Sequence, residues 1–472
     1  MNPTAASISE LAKGLRSKQY SAVELIKQSL DAAKQDSLNV FITVNDAALE
    51  AARRADKRIS SGDPDPLIGI PFAVKDVLMT RGLRTTAASR MLADFIPSYT
   101  ATAVERLTDR GMVILGKTNC DEFAMGSSNE NSAFGPVKNP HDESRVPGGS
   151  SGGSAVAVAA GYAPVSLGTD TGGSVRLPAA LCGVVGFRPT YGRISRYGLI
   201  AMASSLDQVG IFSRNAEDCA LLLEAMAGFD RRDATSSREA VPRYRDDIRQ
   251  PVRPLTIGIP KEYVDDEVGV GADLVRRARE RYEQMPNVKL VDVSLPHSAY
   301  GLATYYICVS SEISANLARY DGLRYGYREE GAATLEELYR TNRTNGLGSE
   351  PKRRILLGTY ALSAGYFDKY YAQASKVRRL ILQDFEKAFQ RVDVLLSPTS
   401  PTPAFKLGER MTDPLLMYLS DLYTVGASLA GLPAVSYPAG MVSNLPVGLQ
   451  LTGPAWSEAR LLQAIEYLQP IS

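Results

Sequence analysis

The stretch GGSSGGSAVAVAAGYAPVSLGTDTGGS, at residues 148–174, contains two glycine- and serine-rich loops separated by an apolar segment. The apolar segment predicts a helix at 153–160 followed by a short strand at 163–167. Glycine at neighbouring positions permits backbone conformations that other residues avoid, so several N–H groups can point at one small anion or oxyanion. The two loops therefore predict one shared site.

An alternation of short apolar runs and helical patterns extends through the rest of the chain. Ser21 and Glu24 form a capping-box pattern that predicts the start of a helix ending near residue 35, and 46–59 predicts a second helix. Strands are predicted at 68–74, 113–116, 255–259, 288–293, 392–397, 434–437 and 447–451. Helices are predicted between them, including one at 101–110 and a long one near 352–390. This alternation predicts an α/β protein.

No repeat or low-complexity linker divides the 472 residues, so we expect one large domain. Its predicted parts are a helical N-terminal region at about 1–65, a core carrying the glycine-rich loops at about 66–225, and a remainder that completes the sheet and the substrate pocket. The charged stretch at 231–253 is expected to be a surface excursion rather than a domain boundary.

Composition excludes several classes of protein. With 44% hydrophobic and 22% charged residues, the chain has the composition of a soluble globular protein. A formal net charge of +1 provides no basic field of the kind that a dedicated nucleic-acid binder uses. Residues 1–18 lack an apolar core of signal-peptide length, and the chain has no apolar run long enough to span a bilayer. We therefore expect a cytoplasmic protein that does not bind a membrane.

Cysteine and histidine are too few and too scattered for several kinds of site. No Cys-x-x-Cys pair occurs, and we expect the cysteines to be buried as small apolar residues. The four are Cys120, Cys182, Cys219 and Cys308. His141 and His297 are the only histidines, which excludes a multi-histidine metal centre and leaves few candidates for a Ser-His-Asp triad. We expect no metal, and we expect both histidines to lie in loops.

Amide cleavage is a reaction that the two glycine-rich loops could support. It needs an activated nucleophile, a proton donor for the leaving nitrogen and hydrogen-bond donors for the oxyanion. Ser174 follows two glycines and is the candidate nucleophile. The candidate oxyanion donors are the N–H groups of Thr171, Gly172, Gly173 and Ser174. Asp170 and Arg176 are expected to brace this loop, and Ser151 is expected to support the site.

Lys75, which follows the apolar run at 70–74, is the candidate base. A free lysine has a pKa of about 10.4, so a neutral amine near pH 7 requires the ammonium to be destabilised by about 4–5 kcal/mol. Burial at the end of a strand can supply that free energy. Ser150 is the candidate proton relay between Lys75 and Ser174, because a hydroxyl both donates and accepts.

Each of these features has a simpler interpretation when it is taken alone. A Gly-Gly-Ser loop is commonly a flexible turn, and a lysine after a strand is commonly a solvated charge. A glycine-rich loop before a helix can also bind phosphate, but neither loop has the Gly-x-x-x-x-Gly-Lys-Ser/Thr pattern. The co-occurrence of the features favours an enzyme over a non-enzymatic anion-binding module, which is the alternative of another class.

With Lys75, GGSSGGS at 148–154 and GTDTGGSVRLPAA at 168–180, the chain resembles the amidase signature family. In that family the serine of the second loop is the nucleophile, the first serine of the Ser-Ser pair is the relay and the strand-end lysine is the base. The resemblance implies these roles for Ser174, Ser150 and Lys75. It also implies a cis peptide bond between Gly149 and Ser150, and a mixed central β-sheet covered by helices on both faces.

Within that family, nearly the whole chain resembles the glutamine-hydrolysing subunits of tRNA-dependent amidotransferases, most tellingly at 122–136, 316–326 and 352–360. The resemblance implies that glutamine is held by Asp421 and by an arginine, for which Arg354 is preferred and Arg353 is the alternative. A guanidinium can bind the α-carboxylate bidentately, and an aspartate can bind the α-ammonium. The further implied substrate contacts are Met125, Gly126, Ser127 and Tyr305.

The same resemblance implies partners for the chain. It implies a heterotrimer with two other amidotransferase subunits, one of which uses ATP and Mg²⁺, binds most of the misacylated tRNA and converts Glu-tRNA(Gln) to Gln-tRNA(Gln). Asp-tRNA(Asn) is a second acceptor that the sequence leaves open. No cofactor is implied in this chain itself. The rival within the family is a stand-alone amidase that hydrolyses another small amide.

Overall fold

A computed structural model describes residues 6–264 and 270–468. Within these ranges, eleven strands form a single sheet. In chain order they are β1 (Phe41–Val44), β2 (Pro71–Lys75), β3 (Val113–Thr118), β4 (Val165–Asp170), β5 (Val185–Arg188), β6 (Gln208–Ser213), β7 (Leu255–Pro260), β8 (Val288–Val293), β9 (Val394–Pro398), β10 (Ala434–Val442) and β11 (Leu445–Thr452).

Helices precede, follow and connect these strands. They are α1 (Ile8–Arg16), α2 (Ala22–Lys34), α3 (Ala48–Ser60), α4 (Thr102–Asp109), α5 (Gly152–Ala159), α6 (Arg176–Cys182), α7 (Ala216–Met226), α8 (Tyr244–Ile248), α9 (Gly271–Tyr282), α10 (Gly301–Asn316), α11 (Leu335–Gly346), α12 (Ser349–Leu362), α13 (Gln373–Ala388), α14 (Pro414–Tyr418), α15 (Val425–Leu429) and α16 (Glu458–Leu468).

The sheet is mixed, with the order β1-β3-β2-β4-β6-β5-β10-β11-β9-β7-β8. Strand β2 lies between β3 and β4 and is parallel to both, so the carboxyl ends of these strands share one edge. The register pairs Val74 with Leu167. Lys75 and Thr169 therefore lie close together near the edge where α/β proteins commonly bind ligands.

Both faces of the central strands are covered. Every residue of β2, β3, β4 and β6 is buried, and because successive side chains point to opposite faces, neither face is open to solvent. Helix α5 packs against β2 and β4, while α2 and α3 pack against β3. The prediction of a single α/β domain with a mixed sheet covered by helices on both faces is confirmed.

The N-terminal region contains the predicted helices. The Ser21 hydroxyl accepts from the Glu24 N–H, and the Glu24 carboxylate accepts from the Ser21 N–H, so the predicted capping box begins α2. Strand β1 interrupts this region, which is therefore not purely helical. β1 is only partly buried and pairs antiparallel with β3 at the edge of the sheet.

One predicted helix is wrong, and the strands β1, β5 and β6 lie where the sequence patterns predict none. The single long helix predicted near 352–390 is two helices, α12 and α13, separated by Gly365 in a left-handed conformation (φ 82°) and by a π-helical turn at Asp368–Ala372. Strands β5 and β6 were not predicted at all. β6 contains Gly210, and a Cβ at this position would lie 2.7 Å from the Phe187 carbonyl oxygen of the neighbouring strand. The close pairing of the two strands therefore favours glycine here, and the glycine interrupts the apolar pattern by which the other strands are predicted.

The charged stretch at 231–253 runs over the surface as predicted, but it is anchored. Tyr244 at the start of α8 is fully buried in the main core, and α8 packs against α7 and α16. All four cysteines are buried, as predicted. Within the described ranges, the helices are too short or too polar to cross a membrane.

Candidate active site

Lys75 ends β2 and is fully buried. Its ammonium donates to the hydroxyl oxygens of Ser150 (2.8 Å), Ser151 (2.8 Å) and Thr169 (2.9 Å). Ser151 is held in turn by the backbone of Thr169, because its hydroxyl donates to the Thr169 carbonyl oxygen at 3.1 Å. The structure thus brings the predicted base into contact with the predicted relay, Ser150.

The surroundings of Lys75 weaken its hold on a proton. Burial lowers the pKa of Lys75 to about 8, although nearby carboxylates, including Asp170, favour the ammonium. This pKa lies above the value near 7 used in the sequence argument, so the ammonium is still the major form at neutral pH. The neutral amine is nevertheless accessible, and in that form Nζ can accept a proton from Ser150.

Ser150 and Ser174 are brought together by their backbones. The Ser151 N–H donates to the Ser174 carbonyl oxygen at 3.2 Å, and the peptide bond between Gly149 and Ser150 is cis, as predicted. Ser150 is fully buried, whereas Ser174 is 8% exposed. No hydrogen bond joins the two hydroxyls within the described part of the chain. The step from Ser174 to Ser150 is therefore not joined by a hydrogen bond here, and catalytic hydrogen bonds often tighten only when a substrate binds.

The loop that ends at Ser174 has backbone N–H groups that are not used in hydrogen bonds within the protein. Among the described residues, no protein acceptor takes a hydrogen bond from the N–H groups of residues 171–174, while the next two N–H groups both donate to Asp170. Gly173 has φ 148°, and a Cβ there would lie 2.2 Å from the Thr424 hydroxyl. This free row of donors beside Ser174 has the chemistry of an oxyanion hole.

A buried ion cluster braces that loop. Arg176 binds Asp170 with two hydrogen bonds of 3.0 Å, and Arg188 from β5 binds both the Asp170 carboxylate and its carbonyl oxygen. All three side chains are fully buried. Although burial opposes it, the positive charges of Arg176 and Arg188 hold the pKa of Asp170 well below its usual range. The predicted pair is therefore part of a triad whose second arginine the sequence analysis missed.

A second buried polar group, Asp421, lies close to this loop. Its carboxylate accepts from the hydroxyls of Ser127 (2.9 Å) and Tyr306 (2.8 Å), and burial raises its pKa to about 6. Tyr305, the neighbour of Tyr306 on α10, packs on the oxyanion loop, because a Cβ on Gly172 would lie 2.6 Å from the Tyr305 hydroxyl oxygen. Three predicted substrate contacts, Ser127, Tyr305 and Asp421, thus lie together beside the loop.

Arg354, on α12, faces the same region. Its guanidinium carbon lies 5.2 Å from the ring centre of Tyr306 and 5.6 Å from that of Tyr418. Its Nε donates to Glu350 at 2.8 Å, whereas its two terminal nitrogens have no protein acceptor within the described ranges. Arg353 is 40% exposed and pairs with the other oxygen of Glu350. The geometry therefore favours Arg354 over Arg353 for binding a carboxylate.

The other predicted residues line the loop that carries Ser127. Met125 is fully buried, and Gly126 packs so closely on Asp121 that a Cβ would lie 2.4 Å from the carboxylate. The two histidines lie elsewhere: His141 contacts the Cys182 carbonyl oxygen and His297 contacts Asp384. Within the described ranges, no group of three or more histidine, cysteine or acidic side chains could hold a metal ion.

Several residues of the site belong to no sequence motif that would mark them as functional. They are Thr169, Arg188, Tyr306, Glu350, Tyr418 and Thr424. The Tyr305-Tyr306 doublet was noted in the sequence, but a tyrosine pair is equally typical of a core or an interface. Thr169 stands within the second glycine-rich loop. A hydroxyl residue near the end of a strand in that loop is the one sequence feature that could have marked Thr169 as a contact of Lys75.

Comparisons with known proteins agree with this fold. A family model described as Amidase matches residues 23–462. A glutamyl-tRNA(Gln) amidotransferase subunit of Coxiella burnetii is 52% identical over 460 residues, which cover 97% of this chain and 95% of that protein. The crystal structure of the corresponding glutamyl-tRNA(Gln) amidotransferase subunit from Thermotoga maritima has a TM-score of 0.80 at 38% identity, covering 98% of this chain and 93% of that one.

Peptide amidase from Stenotrophomonas maltophilia has a similar fold, with a TM-score of 0.82 at 30% identity, covering 98% of this chain and 96% of that one. The chain belongs to the amidase signature family. Because the fold is equally close to both solved structures, the backbone alone does not distinguish members of the family. Sequence identity distinguishes them, since this chain is more similar in sequence to the amidotransferase subunits than to the peptide amidase.

Replacing Asp170 with Asn tests the ion cluster. Asp170→Asn keeps the side-chain shape but leaves Arg176 and Arg188 buried without a countercharge, so we expect a loss of about 3–5 kcal/mol in the free energy of unfolding. The measurement is equilibrium denaturation. The matched control is Asp292→Asn, which breaks an exposed pair with Arg279 and should cost no more than about 1 kcal/mol. Equal effects of the two variants would contradict this account of the loop.

The pKa of Lys75 predicts a pH profile for amide hydrolysis. The base acts when it is neutral, so kcat/KM should rise with pH, by about tenfold per unit on the acid side, and level off above about 8. Steady-state kinetics at constant ionic strength measures this. A profile that is flat from about pH 6 to about pH 9 would show that no group with the pKa of Lys75 controls the reaction.

Proposed function

We propose that this chain is the glutamine-hydrolysing subunit of a tRNA-dependent amidotransferase. The observation that carries the proposal is a pair of opposite charges that both contact Tyr306: the unused terminal nitrogens of Arg354 can take the α-carboxylate of glutamine, and Asp421 can take its α-ammonium. The identity of 52% over nearly the full length of a glutamyl-tRNA(Gln) amidotransferase subunit supports the same function.

In the proposed reaction, the side-chain amide of glutamine first binds with its carbonyl oxygen close to the free N–H groups of residues 171–174. Neutral Lys75 takes a proton from Ser150, which takes one from Ser174, and the Ser174 oxygen attacks the amide carbon. The oxyanion forms within the row of N–H donors. The proton then returns from Lys75 through Ser150 to the leaving nitrogen, and ammonia departs. Water hydrolyses the resulting glutamyl ester, which releases glutamate and restores Ser174.

The ammonia produced has a use only if a partner consumes it. We propose that the chain assembles with two other amidotransferase subunits as a heterotrimer, and that one partner uses ATP and Mg²⁺ to activate and amidate Glu-tRNA(Gln). The net charge of +1 and the lack of an ATP-binding loop pattern support assigning the tRNA and the nucleotide mainly to that partner. Translation takes place in the cytoplasm, which is the compartment this role requires.

The test of the function measures two products in parallel. Ammonia release from glutamine and Gln-tRNA(Gln) formation from Glu-tRNA(Gln) are assayed for the chain alone and for the chain with both partners, ATP and Mg²⁺. We expect glutaminase activity that rises in the complex and is coupled to amidated tRNA, and we expect Ser174→Ala to abolish both. Rapid hydrolysis of simple amides by the chain alone, with no gain from partners, would instead identify a stand-alone amidase.

Two truncated substrates test the glutamine contacts separately. Glutaramate is glutamine without the α-ammonium, and 4-aminobutanamide is glutamine without the α-carboxylate. We expect Arg354→Gln to lower kcat/KM by about 10- to 100-fold for glutamine and glutaramate but to spare 4-aminobutanamide. Asp421→Asn should lower kcat/KM for glutamine and 4-aminobutanamide and spare glutaramate. Equal losses on all three substrates would contradict the assignment of the two contacts.

A further inference from the structure

Glu122 is a buried carboxylate that the proposed mechanism does not use. It lies in a short 3₁₀ turn at Glu122–Ala124 and is only 2% exposed. One of its oxygens accepts from the Ser89 hydroxyl, and the other accepts from the Gly348 N–H at 2.9 Å. Gly348 is far away in the sequence. Glu122 therefore joins the loop that carries Ser127 to a distant part of the chain.

Gly348 is the residue on which α12 begins. The first N–H groups of a helix have no partner within the helix, and a side chain of the capping residue usually satisfies one of them. Glycine has no such side chain, but its own N–H is satisfied by the Glu122 carboxylate, much as the glutamate of a capping box accepts the N–H of the capping residue. The approach is close, because a Cβ on Gly348 would lie 2.3 Å from the Glu122 oxygen and would displace the carboxylate. The Ser89 hydroxyl also lies 3.2 Å from the Gly346 carbonyl oxygen, so its single hydrogen is shared between that oxygen and the Glu122 carboxylate.

The first turns of α12 carry the residue that we assign to the glutamine carboxylate. Glu350 stands two residues after Gly348, and its carboxylate accepts from Arg354 Nε one turn further along at 2.8 Å. The hydroxyl of Tyr418 donates to the same Glu350 oxygen at 3.1 Å. A displacement at Gly348 would therefore move Glu350, and with it the direction in which the guanidinium of Arg354 points.

We propose that Glu122 is a positioning residue for substrate recognition, which holds the start of α12 so that the terminal nitrogens of Arg354 face the substrate carboxylate. The inference rests on the proposed function. It makes substrate selectivity depend on a residue that touches no substrate. It is also consistent with the glycine at the start of α12, where a Cβ would displace the Glu122 carboxylate.

The experiment compares variants on three substrates in the complex with both partner subunits. The variants are Glu122→Gln, which keeps an acceptor oxygen but removes the charge, Glu122→Ala, Arg354→Gln and the control Glu130→Gln. Glu130 is a matched control because it lines the same cavity and its carboxylate also accepts from a backbone N–H, that of Gly408, but among the described residues no hydrogen bond or ion pair joins it to α12. The substrates are glutamine, glutaramate and 4-aminobutanamide.

We expect Glu122→Ala to raise KM for glutamine and glutaramate by about two- to thirtyfold, with a smaller rise for Glu122→Gln. Neither variant should change KM for 4-aminobutanamide by more than about twofold, and Glu130→Gln should leave all three values unchanged. General damage to the fold would raise KM for all three substrates, so a rise limited to the two substrates with a carboxylate is specific to the positioning of Arg354.

Two results would overturn the inference in distinguishable ways. If Arg354→Gln shows the split between substrates but the Glu122 variants lose activity equally on all three, or on none, then Glu122 does not position Arg354. If Arg354→Gln itself affects the three substrates equally, then the proposed carboxylate contact is wrong, and the role of Glu122 falls with it.

Discussion

The chemistry that we propose for this protein depends on a lysine that the fold removes from water. Lys75 is fully buried at the end of a central strand, where burial destabilises the ammonium. Hydrogen bonds to three hydroxyl groups offset part of this destabilisation, and none of these partners carries a negative charge. A carboxylate in hydrogen-bond contact would keep the lysine charged. Hydroxyls can accept from the ammonium and donate to the amine, so they stabilise both protonation states. This property allows one lysine to serve as base and then as acid in a single turnover.

The second constraint is that distant parts of the chain must meet around Ser174. Arg176 achieves this because its five donors extend in several directions: it binds Asp170, the carbonyl oxygen of Thr424 at 3.0 Å and the side chain of Gln450 at 3.1 Å. Thr424 in turn donates to the Gly172 carbonyl oxygen at 2.6 Å. The oxyanion loop and the segment that carries the proposed ammonium contact are thus parts of one buried network, which orders both at once.

Sequence reasoning predicted the residues whose function requires a local pattern. Ser150 and Ser174 stand out because close backbone approach needs glycine around them, and Lys75 stands out because an apolar run precedes it. Arg188 and Glu350 could not be found in this way: each is an ordinary residue of a strand or a helix, and only the tertiary fold brings it to Asp170 or Arg354. The strands that were missed follow the same logic, since their sequences reflect close pairing with neighbours rather than a regular alternation of apolar residues. The family resemblance identified Arg354 and Asp421, which no local pattern distinguishes from surface charges.

The most direct test of the central claim is to identify the covalent intermediate. The chain with both partners is mixed with carbon-labelled glutamine, quenched in acid within the first turnover and digested, and the labelled peptide is sequenced by mass spectrometry. The account predicts a glutamyl ester on Ser174, and it predicts that Lys75→Ala, which lacks the base, does not accumulate the ester on that timescale. A label on another side chain, such as Cys120, or hydrolysis without any covalent adduct, would contradict it.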